Sequence, residues 1–286
     1  MLSIPLRESA QGKRMGRFHE DSAVAEADGV LTANLSRDWE IWGPNGGYVA
    51  AIALRAAGLR APEGHRPASF SCQYLSVGKF GPAQAEVKVL KAGRSAMCLA
   101  VELSQAGKAF LTAQVWTTNK ADGPAMAATV MPPSPPPADL HPMEHYLPPD
   151  APKHRFWQNF ETRPVKWTPW GQQIAAGEPL LQWQRFRDFD AVDVFADCAR
   201  MLVLIDTPLW PAHRRAQPPE ANYIAPSLDL AVWFHHAPGG IDWLLSDARS
   251  EESHNGLIHG LGRVWSEDGR LLASGGGHMI HTPPRG

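Results

Sequence analysis

W-G-P-N-G-G-Y-V-A-A-I-A-L-R-A-A-G-L, residues 42–59, is the stretch around which the rest of the chain is read. Pro44, Asn45, Gly46 and Gly47 are turn and cap residues. The run behind them is rich in Ala and aliphatics with Arg55 as its only charge, which is the pattern of a helix with an Asn cap. Because Tyr48, Val49, Ile52, Ala53, Leu54, Ala56, Ala57 and Leu59 leave no polar stripe, the helix is expected to be buried on nearly every side. At about sixteen residues of mixed Ala and aliphatics it is too short for a membrane span. Two glycines at its start leave backbone N–H groups uncovered at the positive pole of the helix, where a ligand oxygen can approach closely. The same pair would equally serve a tight turn into a buried helix.

A chain of 286 residues can hold one large or two ordinary domains with a real core. With 44% hydrophobic and 20% charged residues it reads as a soluble globular protein, and a net charge of −2 gives no general attraction to nucleic acid or to an anionic membrane. The opening M-L-S-I-P-L-R-E-S-A-Q-G-K-R lacks the apolar core of a secretory signal, so a cytoplasmic location is expected. Cys72, Cys98 and Cys198 form no C-x-x-C pair and are odd in number, which points to buried free thiols rather than disulfides or a zinc site.

Residues 18–39 alternate loosely about Asp28-Gly29, the signature of a hairpin leading into the helix. After a stop at 60–64, strands are predicted over 68–77, 83–90, 96–104 and 109–117, with a glycine in each intervening turn, as in an antiparallel meander. Residues 120–155 carry P-P-S-P-P-P and further prolines. They cannot enter a sheet interior, and read as an extended linker between a unit at 1–119 and a unit at 156–286. In the second unit, strands over 156–163 and 180–187 precede a helix over 190–205. Strands over 227–236, 242–248, 256–265 and 271–281 follow, with hairpin turns at 237–240 and 266–269. Each half thus runs strand, strand, helix and four-stranded meander, an α+β arrangement.

This order, together with N-G-G-Y-V-A-A at 45–51, S-L-D-L-A-V-W-F-H at 227–235, D-W-L-L-S-D at 242–247 and D-G-R-L-L-A-S at 268–274, resembles the acyl-CoA thioesterase II family. The resemblance implies a double hotdog, two antiparallel sheets each wrapping one buried helix and fused in one chain. It also implies hydrolysis of acyl-CoA to a free acid and coenzyme A, with neither metal nor organic cofactor. In that family an Asp, a Thr or Ser and a Gln orient the attacking water, and backbone N–H groups near a helix start receive the carbonyl oxygen. Asp229 matches the family Asp. The hydroxyl position falls at Glu251, with Ser250 beside it, and the Gln position falls at Gly277, with His278 beside it. The implied candidates are Asp229, Ser250 and His278 for catalysis, and Asn45, Gly46 and Gly47 for oxyanion and substrate binding.

Thioester hydrolysis needs a positioned water, a base within reach of it and donors for the developing oxyanion. Enclosure of Asp229 by Leu228, Leu230 and Trp233 would strip water from its carboxylate and make it a stronger base; a strand-end Asp that caps a backbone N–H is the plainer alternative. Alternation places Asp229, Ala231, Trp233 and His235 on one face of their strand and Leu230, Val232, Phe234 and His236 on the other, without showing which meets the helix. Of the twelve histidines, His235, His236, His254, His259, His278 and His281 lie near the end of the chain, but no H-E-x-x-H or similar spacing makes them a metal site. Trp157, Trp167, Trp170 and Trp183 are expected in core and interfaces rather than along an acyl chain. Two other functions fit the same fold: a non-catalytic acyl-CoA binding protein, which the Gly277 substitution favours, and a hotdog enoyl-CoA hydratase, whose G-D-x-N-P-x-H motif is missing. An exposed edge strand would favour a homo-oligomer.

Overall fold

The computed structural model describes residues 16–149, 151, 155–169, 171–191 and 193–284. In the first half β1 (Ala25–Ala27) and β2 (Val30–Leu35) form the expected hairpin, followed by β3 (Arg66–Tyr74), β4 (Gly81–Ala92), β5 (Ala96–Gln105) and β6 (Lys108–Thr118). Asp28 and Gly29 take φ of 52° and 76°, the left-handed pair that matches a two-residue turn to strand twist. The second half contributes β7 (Phe160–Pro164), β8 (Leu180–Phe186), β9 (Asp229–Phe234), β10 (Trp243–His254), β11 (Leu257–Ser266) and β12 (Leu271–Ile280). The two half-sheets are continuous: all twelve strands lie in the order β1-β2-β4-β5-β6-β3-β9-β12-β11-β10-β8-β7, joined where β3 pairs antiparallel with β9. At that seam Cys72 stands opposite Leu230 and Gln73 opposite Asp229.

Among the described residues five α-helices accompany the sheet: α1 (Phe18–Asp21), α2 (Gly46–Gly58), α3 (Arg155–Gln158), α4 (Val194–Asp206) and α5 (Leu209–Arg215). As its unbroken apolar surface requires, α2 is buried from Gly47 to Leu54, and its neighbour in the core is α4. The two run antiparallel in close contact. A Cβ placed at Gly47 would lie 2.6 Å from Val203 Cα, and one at Gly58 would lie 2.7 Å from Phe195 Cγ, so glycine at both ends of α2 allows the approach. Each helix also packs on the inner face of its own half-sheet, giving one shared core. Two expectations are corrected here. The first predicted strand of the second unit begins as α3, with β7 starting only at Phe160, and a separate helix α5 follows α4 after the break at Thr207-Pro208, where proline removes a helix donor.

The proline-rich join crosses the outer face of the second half-sheet. Trp183 Nε1 donates to Pro135 O at 2.9 Å, and the Arg163 guanidinium donates to Pro137 O at 2.6 Å and Leu140 O at 3.2 Å. Met131 and Leu140 pack on Trp183, Leu245 and Trp265. Of the clustered tryptophans among the described residues Trp183 alone is core. Trp157 is partly exposed and Trp167 stacks on Tyr146, while Trp170 lies outside the described residues. Cys72, Cys98 and Cys198 are buried free thiols. Among the described residues no helix is long and apolar enough to cross a membrane.

Candidate functional site at the start of the first core helix

Asn45 caps α2 as its sequence predicts, its side-chain oxygen accepting from Tyr48 N at 2.9 Å. Its amide nitrogen reaches across to the second unit and donates to Thr207 Oγ1 at 3.2 Å. Asn45→Ala removes both, and is expected to lower unfolding free energy by about 1–2 kcal/mol in denaturant titration.

The carboxylate that the second unit brings to this helix end is Asp206, the last residue of α4. Asp206 Oδ2 accepts from Gly47 N at 2.8 Å and Oδ1 accepts from Ser227 Oγ at 2.8 Å. An acidic residue at a helix C-terminus opposes its own helix dipole; here the same carboxylate sits at the positive end of α2, where the dipole favours it. Asp206 is 7% exposed, and burial pushes its carboxyl above the ordinary range, against the two hydrogen bonds that hold it down. The folded chain therefore holds this proton more tightly than the unfolded one, and the contribution of Asp206 to stability falls as pH rises from the usual carboxylate range through the raised value. Gly47 N–H is thus occupied, which corrects its expected role as a free oxyanion donor. Among the described residues no acceptor takes the N–H of the partly exposed Gly46.

Tyr74, at the end of β3, completes this corner. A Cβ at Gly46 would lie 3.0 Å from Asp206 Oδ2, 3.2 Å from Asp206 Oδ1 and 3.2 Å from the Tyr74 hydroxyl, so all three atoms converge on the space that the glycine leaves. The Tyr74 hydroxyl is shut off from solvent, with no nitrogen or oxygen partner among the described residues and the Cys72 thiol beside it. Burial, then the neighbouring Cys72 thiol and the carboxylates of Asp206 and Asp229, push its phenol well up. Near this corner Trp42, Leu75, Val77 and Leu228 are exposed apolar side chains, with Trp42 edge-on to Trp210 at 5.1 Å.

The start of α4 is a different place. Asp193 caps Ala196 N at 2.8 Å, Phe195 covers Gly58, and Asp197 pairs with Arg200 while also accepting from Gly240 N at 2.9 Å. Its donors are covered by the protein itself.

Asp229 begins β9, and the burial of Leu230, Val232 and Phe234 shows that these three face the helices. Asp229 is therefore not enclosed as expected: Leu230 lies on the opposite face, and Leu228 and Trp233 are 37% and 55% exposed. The structure does bring Asp229 and His278 together. His278 N donates to Asp229 Oδ1 at 2.9 Å, and His278 Nδ1 lies 3.3 Å from Asp229 Oδ2. Asp229 is two residues beyond Ser227, whose hydroxyl holds Asp206, so the two carboxylates flank one short segment. Ser250 is drawn elsewhere. Beside the bulge between Ser250 and Glu252 its hydroxyl donates to His259 O at 2.8 Å, and no hydrogen bond among the described residues ties it to Asp229. At Gly277 a Cβ would overlap Asp229 O and stand 3.2 Å from Asp229 Oδ1, so this backbone holds no side chain there.

The model for the acyl-CoA thioesterase N-terminal domain matches residues 35–118, and that for the acyl-CoA thioesterase C-terminal domain matches residues 133–275. Among solved structures, an acyl-CoA thioesterase II from Mycobacterium marinum superposes with a TM-score of 0.75 at 20% identity, covering 93% of this chain and 98% of its own. A hot dog protein of unknown function from Alicyclobacillus acidocaldarius gives a TM-score of 0.75 at 22% identity, covering 94% and 98%. A thioesterase-like structure from Novosphingobium aromaticivorans gives 0.72 at 22% identity, covering 91% and 98%. At these identities the superpositions establish the fold, a double hotdog. A search of curated proteins finds no match.

Proposed function

The chain belongs to the acyl-CoA thioesterase family and is a thioester hydrolase, and from that premise we propose that hydrolysis takes place at the N-terminal end of α2, with the base delivered by the second unit. The observation that carries this reading is the meeting of a helix start from one unit with an acidic side chain from the other, Asp206 against Gly46 and Gly47. Asp229, held by His278 N and beside the His278 ring, stands at the start of β9 as the second carboxylate of this reading. Ser250 is committed to His259 O and takes no part. Trp42, Leu75, Val77 and Leu228 give the acyl chain and pantetheine apolar surface beside the opening.

Purified protein mixed with a panel of acyl-CoAs, with free thiol and enoyl absorbance followed together, tests the reading. Thiol release is expected, with Asp229→Asn lowering kcat about a hundredfold, the scale of losing one group that positions charge in the transition state. Loss of enoyl absorbance without thiol would point to a hydratase, and saturable binding without turnover to a binding protein.

A further inference from the structure

We infer that Ser253 and His213 form a second catalytic centre, in which the Ser253 hydroxyl attacks small activated carboxylic esters, His213 takes its proton and Tyr223 holds the imidazole in place. The three residues come from separate parts of the second unit: His213 from α5, Tyr223 from the segment between α5 and β9, and Ser253 from the end of β10. Ser253 Oγ lies 3.0 Å from His213 Nε2, and His213 Nδ1 lies 2.7 Å from the Tyr223 hydroxyl. Gln217 decides which ring nitrogen carries the proton. Its amide nitrogen, which can only donate, stands 3.3 Å from His213 Nε2, so Nε2 keeps its lone pair and Nδ1–H donates to Tyr223. The Ser253 hydroxyl is thereby aimed at a free base, and the base is oriented by a third group, the arrangement that activates a serine. His213 and Tyr223 are buried whereas Ser253 is exposed, so the base is shielded from water and the nucleophile is within reach of a ligand. Burial, and after it His281, holds the imidazole below its ordinary range, which leaves His213 neutral and able to accept a proton at neutral pH.

The surroundings of Ser253 set the class of substrate. β8 pairs with β10 only from Trp243 to Ala248, so beyond Ala248 the outer edge of β10 has no strand partner among the described residues, and alternate backbone N–H groups on that edge are open to a developing oxyanion. Ile258, opposite Ser253 in the sheet, and Ala212 on α5 belong to one packed apolar cluster, so the centre takes a small acyl group at the surface rather than a long chain. Ser253 Oγ bonds to the acyl carbon as its proton passes to His213 Nε2, and the carbonyl electron pair moves onto the oxygen. Its return breaks the bond to the leaving alcohol or thiol, which takes the proton from His213. Water then repeats the sequence on the acyl-serine: its proton goes to His213, its oxygen bonds to the acyl carbon, and Ser253 Oγ departs with the proton. The products are a carboxylic acid and an alcohol or thiol.

The full chain treated with diisopropyl fluorophosphate, and separately with p-nitrophenyl acetate, tests the inference, with the adduct located by peptide mass mapping and the thermal midpoint measured on the same samples. One diisopropylphosphoryl or acetyl group is expected on Ser253. The label is read on Ser253 itself, so the result does not depend on where acyl-CoA is hydrolysed. His213→Gln is expected to slow labelling about a hundredfold or more, the scale of losing a general base. Tyr223→Phe removes the acceptor of Nδ1–H and is expected to slow it about tenfold or more on protein that still melts cooperatively. In wild type the rate should stay level through neutral pH and fall only below the ordinary imidazole range, where His213 takes a proton. The charged groups that face the pair are Arg214 on α5 and His281, which stacks on Tyr223 at 4.9 Å, while alternation turns Glu252 and His254 to the other sheet face. Folded wild-type protein that takes no label on Ser253 overturns the inference, as does His213→Gln labelled at the wild-type rate. If His213→Gln does not fold, Tyr223→Phe and the pH profile decide: an unchanged rate in the first, or no fall in acid in the second, overturns it and leaves the three residues as a tie between α5 and the sheet.

Discussion

Gly47→Ala is expected to lower unfolding free energy by about 3 kcal/mol and to reduce turnover together with stability. The added Cβ would lie 2.6 Å from Val203 Cα and 2.7 Å from Leu202 O, both backbone atoms of α4. No rotamer change relieves a clash with backbone, so α2 and α4 must move apart, and every side chain they share in the core loses contact. The same movement draws Gly47 N away from Asp206 Oδ2, now 2.8 Å distant, and so loosens the corner where hydrolysis is proposed. For a chain of this length the thermal midpoint is expected to drop by about 5–10 °C in calorimetry. Gly46→Ala, one residue earlier, is the informative contrast. The three atoms nearest its Cβ would be side-chain oxygens of Asp206 and Tyr74, at 3.0 to 3.2 Å. It is expected to leave the midpoint nearly unchanged while filling the space for the reacting carbonyl. Equal midpoints for Gly47→Ala and wild type would mean that the helices are not in backbone contact.

How much of this could be read beforehand follows from which interactions are local. The Asn45 cap, the buried face of α2, the Asp28-Gly29 turn and the alternating strands are written in residues a few positions apart, and each appears close to its predicted place. The seam between β3 and β9 is not of this kind. Cys72 and Leu230 are partners only because two half-sheets meet, and neither run differs locally from a strand at a sheet edge. Asp206 was hidden for the same reason. In L-V-L-I-D-T-P it reads as the polar end of an apolar helix, and its partner Gly47 N lies 159 residues away. One local signal was present: an Asp at the C-terminus of a buried helix is at the wrong pole of that helix, which marks it as serving another. Asp229 stands at a family position and His278 beside one, and the structure brings the two together, whereas the Ser250 hydroxyl is bonded to His259 O next to a bulge that the sequence does not reveal.

Gly277→Gln, which restores the residue that the resembling family carries, is expected to damage the site rather than improve it. Gly275, Gly276 and Gly277 run consecutively through β12, and a Cβ on any of them would overlap a carbonyl oxygen: Ala231 O, Gly260 O and Asp229 O respectively. β12 is held between β9 and β11 at distances that only hydrogen allows at these three places, and the carbonyls concerned belong to its sheet neighbours rather than to movable side chains. A glutamine at 277 must therefore push β9 away just where Asp229 accepts from His278 N, and its Cβ would also crowd Asp229 Oδ1 at 3.2 Å. A loss of about 3 kcal/mol is expected from displaced backbone. A fall in kcat of at least the size seen for Asp229→Asn should accompany it, because the carboxylate moves with its strand. Thermal melting and thiol release on the same preparation check both. A variant that melts like wild type and turns over faster would show that β12 accepts a side chain at this point, and that the three glycines are not what shapes the pairing of Asp229 with His278.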